Sequence, residues 1–285
     1  MSPPDSFFHS TRWIIRSGEL VTEFWFNKAK QEEILSGQPA QFLIMCHGCP
    51  SHPFDHNPAL LQQYLETGMI LVYPSYLGTW ASDGGCTLAN AVDSVLGTID
   101  LISDGSGAEL RHGTRVSWKA KEIVTVGASF GGAVSLIACA KSDRVLRSIA
   151  ISPVTDFRTH NRNGLKEEDL LLTWNALDSS FRRLWRLNRA AYDCLIEGTL
   201  DLNVVDYIER LRSKTILLIH SKGDTAVSVE RSRSLHRELD SDYESCQLLI
   251  TEHGEHLLLF HLGEPALQKQ VFQWLQESVP PINGQ

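Results

Sequence analysis

Apolar positions along most of this chain fall into short runs separated by amphipathic stretches. Near the start, 12–16 and 20–27 flank Ser17-Gly18 and predict an antiparallel hairpin. Buried strands are expected at 41–46, 69–74, 122–128, 147–152, 214–220 and 246–250, each a continuous aliphatic or β-branched run. Helical spacing marks 58–68, 87–103, 129–141, 228–240 and 264–278, while polar, glycine-containing 104–118 reads as a surface loop. Such an alternation implies an α/β fold, with a mostly parallel central sheet covered by helices on both faces and sites beyond the carboxyl ends of its strands. Between Thr155 and Arg212 the strand rhythm stops, and the stretch is helical in pattern. It is too long for a simple connection, so 155–212 is expected to be a small helical cap inserted into a core made of 1–154 and 213–285.

Within that cap, Phe181, Leu184, Trp185, Asn188, Tyr192 and Leu195 share one face of an expected helix, with Arg182, Arg183, Arg186 and Arg189 mostly off it. A solvated basic face opposite a packed one accounts for the pattern. The functional alternative is an arginine reaching a substrate carboxylate.

Composition narrows the classes. With 285 residues, 42% of them hydrophobic, there is material for one well-formed core. No apolar run is long enough to span a bilayer, and the first residues show no secretory pattern, so a cytoplasmic protein without a membrane partner is expected. A formal charge of −8, spread along the chain, disfavours nucleic acid as a partner. The six cysteines are scattered, as buried free thiols are. The one C-x-x-C, Cys46 to Cys49, lacks a second ligand pair, so no metal is expected.

The chemistry centres on Gly127-Ala128-Ser129-Phe130-Gly131, which follows a strand and opens a helix: a G-x-S-x-G nucleophile elbow in its required context. A serine on so tight a turn needs minimal residues two positions either side, and the helix start behind it favours developing negative charge. The base and its orienting acid should follow in the order acid, then histidine. Asp224 stands just beyond the strand 214–220, and His256 just beyond 246–250, with His253 as the competing base. Asp224 could also be there for its own turn, since aspartate bonds nearby backbone amides. Asp201 and Asp206 are fallback acids at the wrong end of their strand. Oxyanion donors are expected from the backbone N–H of Phe130 and, in the loop His47-Gly48-Cys49-Pro50, that of Cys49. The substrate wall is assigned to Trp174 and Trp185 of the cap and to Tyr76 and His47 of the early loops.

From Gln41 onward the chain resembles the catalytic domain of the prolyl oligopeptidase family, which has the α/β-hydrolase fold. His47-Gly48-Cys49-Pro50 is similar to that family's HGGP, and 73–79 to its N-Y-R-G-S segment. Gly127 to Gly132 resembles its elbow, 152–156 the segment after the next strand, and 219–239 its acid-bearing strand end, turn and helix. Cys49 replaces a glycine of that pattern and Leu77 an arginine. Residues 1–40 stand where family peptidases carry a β-propeller that restricts entry to peptides, as in the similar dienelactone-hydrolase-like and small esterase groups that lack the propeller. The resemblance and the motifs together imply a serine hydrolase that cleaves an ester, thioester or amide of a small acyl or peptide-like substrate through an acyl-enzyme, with no cofactor. Acyl transfer to another acceptor, or a non-catalytic binding protein on the same fold, are the competing functions.

Overall fold

The computed structural model describes residues 10–51, 58–159, 174–197, 199, 202–239, 245–252, 254–256 and 265–277. The chain opens on the expected hairpin, β1 (Ser10–Ser17) and β2 (Leu20–Asn27), turned by Gly18 at φ 60°. A short helix α1 (Gln31–Leu35) leads to β3 (Pro39–Cys46), followed by α2 (Pro58–Glu66), β4 (Ile70–Ser75) and α3 (Leu88–Asp104). Thr87 caps α3 by accepting from the Asn90 N–H, and Gly105 ends it in the left-handed conformation at φ 71°.

The stretch expected to be a surface loop, 104–118, instead forms a small hairpin, β5 (Ser106–Ala108) and β6 (Arg115–Ser117). Its apolar members explain the difference. Val116 and Trp118 are buried, Trp118 stacks on Trp13 at 6.2 Å between ring centroids, and its indole N–H donates to Ile102 O. The polar residues between them mask a segment that has apolar surface to bury.

The remaining core elements are β7 (Lys119–Ala128), α4 (Phe130–Lys141) and β8 (Arg147–Ile151). Beyond β8 the described residues carry helices only: α5 (Trp174–Phe181), α6 (Arg189–Glu197) and α7 (Ile208–Leu211). Then come β9 (Thr215–Ser221), α8 (Val229–Leu239), β10 (Cys246–Thr251) and α9 (Pro265–Gln276). One eight-stranded sheet results, in the order β1-β2-β4-β3-β7-β8-β9-β10, parallel from β4 to β10 and antiparallel at β1–β2 and β2–β4.

Side-chain alternation sorts the apolar runs onto two faces. Phe42, Ile44, Ile70 and Val72 pack with α3 and α4 on one side, while Leu43, Leu71, Tyr73 and Val124 pack with Tyr64 and Leu65 of α2 and with Val271 and Trp274 of α9 on the other. A strand buried on both faces reads as continuously apolar in sequence, which is why its period was invisible there. Part of the connection after β8 belongs to this core as well: Val204, Ile208 and Leu211 join the cluster around α4. No described helix is long and apolar enough to cross a membrane.

The sheet matters for function through its carboxyl edge. Cys46 is in register with Gly127, Ala128 with Ile151, Ile151 with Ile219, and Ser221 with Thr251. The loops after β3, β7, β8, β9 and β10 therefore emerge side by side.

Candidate active site

Ser129 sits between β7 and α4 at φ 56°, ψ −122°, a conformation that an L-residue holds only under constraint and that lifts its side chain off the sheet. The constraint is steric. A Cβ on Gly127 would lie 2.1 Å from Gly131 O, and one on Gly131 would lie 2.1 Å from Cys46 O and 2.7 Å from His47 O. Only glycine lets β7, α4 and the loop after β3 approach so closely. The Ser129 N–H donates to Ile151 O at 2.9 Å, fixing the turn to β8. Among the described residues, no hydrogen bond engages the Ser129 hydroxyl.

The loop 47–51 lies against this turn: a Cβ on Gly48 would meet Ala128 O at 3.7 Å and Ser129 Cβ at 4.0 Å. Aromatic residues hold it from behind. Tyr76 donates its hydroxyl to His47 O at 3.1 Å, and its ring stacks on the His47 imidazole at 3.9 Å. Two indoles, Trp80 Nε1 and Trp185 Nε1, donate to the same carbonyl, Ser51 O, at 3.0 and 3.1 Å. Trp80 has φ 44°, strain that a bulky residue holds only where its surroundings impose it.

Tyr76, His47 and Trp185, expected in the substrate wall, are 0%, 1% and 1% exposed and pack behind the loop. Trp174 is half-buried in α5, edge-on to Tyr192 at 5.4 Å and beneath the Arg189 guanidinium at 5.0 Å.

The expected continuous helix through 181–195 is corrected. It breaks between α5 and α6, where 184–187 runs beside the 78–86 loop: Trp80 N–H donates to Leu184 O, Arg186 N–H to Gly78 O, and Cys86 N–H to Arg186 O. Asn188 explains the break, because its side chain accepts the Ala191 N–H and starts α6 anew. Three of the four arginines on this stretch are engaged: Arg182 with Asp178, Arg189 with Asp193, and Arg186 with the carbonyls of Ser82 and Gly84.

Beyond β9, the Asp224 carboxylate bonds both to its own turn and to a histidine. Its Oδ1 accepts the N–H groups of Ala226 and Val227 at 3.0 and 2.9 Å, and its Oδ2 accepts His256 Nδ1–H at 2.7 Å. Burial pushes the carboxyl upward, but the hydrogen bonds from His220, His256 and Val227 and the His256 charge outweigh it and hold Asp224 below the ordinary aspartate range. The two loops are stapled together. Ser221 Oγ accepts the Gly223 N–H and donates to Gly254 O at 2.6 Å, and Lys222 N–H donates to Thr251 O. Asp206 is elsewhere, bonded to Asn203 and Arg158, and His253 and Asp201 lie outside the described residues. Of the oxyanion candidates, Phe130 is the first residue of α4, and Cys49 follows Gly48 in the loop that lies against the serine turn. Burial pushes the thiols of Cys46 and Cys49 far from thiolate.

Sequence reading missed Trp80, Ser51, Ser221 and His220. His220 left a signal, a histidine inside an otherwise aliphatic strand. The tethers to Ser51 left none, because they depend on which distant indole arrives there.

Comparison with known proteins agrees with this architecture. The family model described as X-Pro dipeptidyl-peptidase (S15 family) matches residues 20–251. No curated protein matches by sequence. Similar solved structures include an esterase of Pyrococcus furiosus, 16% identical over 97% of this chain and 93% of that one, with a TM-score of 0.66. Est1E from Butyrivibrio proteoclasticus is 18% identical over 93% of this chain and 99% of that one, with a TM-score of 0.63. An acylaminoacyl peptidase of Pyrococcus horikoshii is 15% identical over 93% of this chain but 40% of that one, with a TM-score of 0.59.

Proposed function

The chain belongs to the X-Pro dipeptidyl-peptidase (S15) family and is a serine hydrolase of the α/β-hydrolase fold, and from that premise we propose that it works through an acyl-enzyme on Ser129, with His256 as base and Asp224 as orienting acid. The observation that carries this reading is the 2.7 Å bond from His256 Nδ1 to Asp224 Oδ2, at the same sheet edge as a serine strained to φ 56°. With Nδ1–H committed to the carboxylate, Nε2 is left as the proton acceptor. His256 takes the hydroxyl proton as Ser129 Oγ attacks the substrate carbonyl carbon, and the electron pair moves onto the carbonyl oxygen. The N–H groups of Phe130 and Cys49 stabilise that oxyanion. Its collapse expels the leaving group, which receives the proton from His256, and water repeats the sequence to free the acid. Substrates are esters, thioesters or amides of small acyl or peptide-like groups. The insertion around α5 and α6 serves as the cap, with Trp174 its acyl-facing residue.

Intact-mass labelling with a fluorophosphonate tests the reading. One adduct on wild type is expected, absent from Ser129→Ala and His256→Ala and retained in His253→Ala. Folded wild type without an adduct would overturn it. Nitrophenyl esters of graded chain length, run beside an X-Pro nitroanilide, then separate esterase from dipeptidyl-peptidase activity.

A further inference from the structure

His220 is fully enclosed near the end of β9, next to Leu217, Leu218 and Ile219, all buried. A buried imidazole is costly unless its nitrogens are used, and here both are. Nδ1 lies 2.7 Å from Ser232 Oγ on α8, and Nε2 lies 2.9 Å from Val227 O and 3.4 Å from Asp224 Oδ2. A carbonyl and a carboxylate only accept, so Nε2 carries the hydrogen and Nδ1 accepts the Ser232 hydroxyl proton. Val227 closes the circuit, since its own N–H donates to Asp224 Oδ1. A staple between β9 and α8 would need only the Ser232 and Val227 contacts. The third contact reaches the same oxygen that His256 uses.

We propose that His220 is a positioning residue that holds Asp224 Oδ2 in line with His256 Nδ1, so that a Ser232–His220–Asp224 series sets the angle of the base. This rests on the Ser129–Asp224–His256 reading. Without the Nε2–H, Oδ2 loses this 3.4 Å contact, and the carboxylate can rotate about the Oδ1 amides, carrying the imidazole with it.

His220→Leu and His220→Gln test it on the full chain, the glutamine amide supplying an N–H near the Nε2 position. In His220→Leu, kcat on an activated ester should fall about ten- to a hundredfold with KM changed less than about threefold, because the loss is one of alignment and not of substrate contact. The low-field proton resonance of His256 Nδ1–H should shift or broaden in His220→Leu and return in His220→Gln together with most of kcat. A folded His220→Leu with wild-type kcat and resonance overturns the proposal, as does a His220→Gln that melts like wild type yet is as slow as His220→Leu. Should His220→Leu fail to fold, nitrogen NMR of wild type still decides: His220 must be the Nε2–H tautomer, and an Nδ1–H tautomer overturns the assignment. Wild type that takes no fluorophosphonate sinks the triad reading and this proposal together. Labelled wild type with kinetically silent His220 variants sinks the proposal alone.

Discussion

The turn at Ser129 and the loop 47–51 meet at the same sheet edge, yet they are held by opposite means. The turn is made by sterics: Gly127 has no room for a Cβ against Gly131 O, nor Gly131 against Cys46 O at the end of β3, and this crowding holds the serine in its strained conformation. The loop is made at a distance. Its Ser51 carbonyl receives indoles from Trp80 and from Trp185, the latter 134 positions away, and Tyr76 holds its His47 carbonyl. The proposed mechanism needs both, because a nucleophile fixed by sterics is useless unless its oxyanion donors are equally fixed. Steric crowding fails all at once, whereas long-range tethers weaken one at a time.

The harshest test of that contrast is Gly131→Ala. Its Cβ would sit 2.1 Å from a backbone carbonyl that cannot move without shifting β3. We expect a loss of more than about 3 kcal/mol, read as absent soluble protein or a collapsed urea midpoint. A stable, active Gly131→Ala would show that the turn is not sterically locked.

The loop should respond by degrees. Trp185→Phe removes one of the two indole donors to Ser51 O, at about 1 kcal/mol, and removing the second strips this part-buried carbonyl of both indoles, at about 1–3 kcal/mol. The double variant with Trp80→Phe should therefore lose more than the sum of the singles, in stability and in kcat. Strict additivity in that double-mutant cycle would mean that the two indoles do not share one acceptor in solution.

The same contrast governs what is legible in the sequence. The turn was legible in full, since G-x-S-x-G after a strand states its own geometry. Asp224 and His256 were legible through strand order, as each follows a buried run and parallel strands deliver both to one edge. Tyr76 and Trp185 were legible only as aromatic residues with surface to bury: aromatic character marks burial and leaves open which surface is covered. The helix break before Asn188 was hidden because the apolar spacing continues across it. The hairpin in 104–118 was hidden because its three-residue strands are too short to show a period.

Between the two extremes stands the acid loop, held by neighbouring strands, and it offers the gentlest test. Asp224 is kept below its ordinary value near 3.8 by donors that outweigh its burial, so the folded state favours the carboxylate. A carboxyl depressed in this way adds stability that is complete above the unfolded value and is lost as pH falls below it towards the folded one. Asp224→Asn should thus be most destabilised relative to wild type near neutral pH, with the gap closing below pH 4 in urea titrations. A gap independent of pH would assign the effect to lost hydrogen-bond geometry and not to charge. Ser221→Ala provides the companion measurement. It cuts the bridge to Gly254 without touching the carboxylate, so it should cost about 1 kcal/mol at every pH. If both variants behaved alike across the titration, the acid loop would be held as the serine turn is, by shape, and its charges would matter only to turnover.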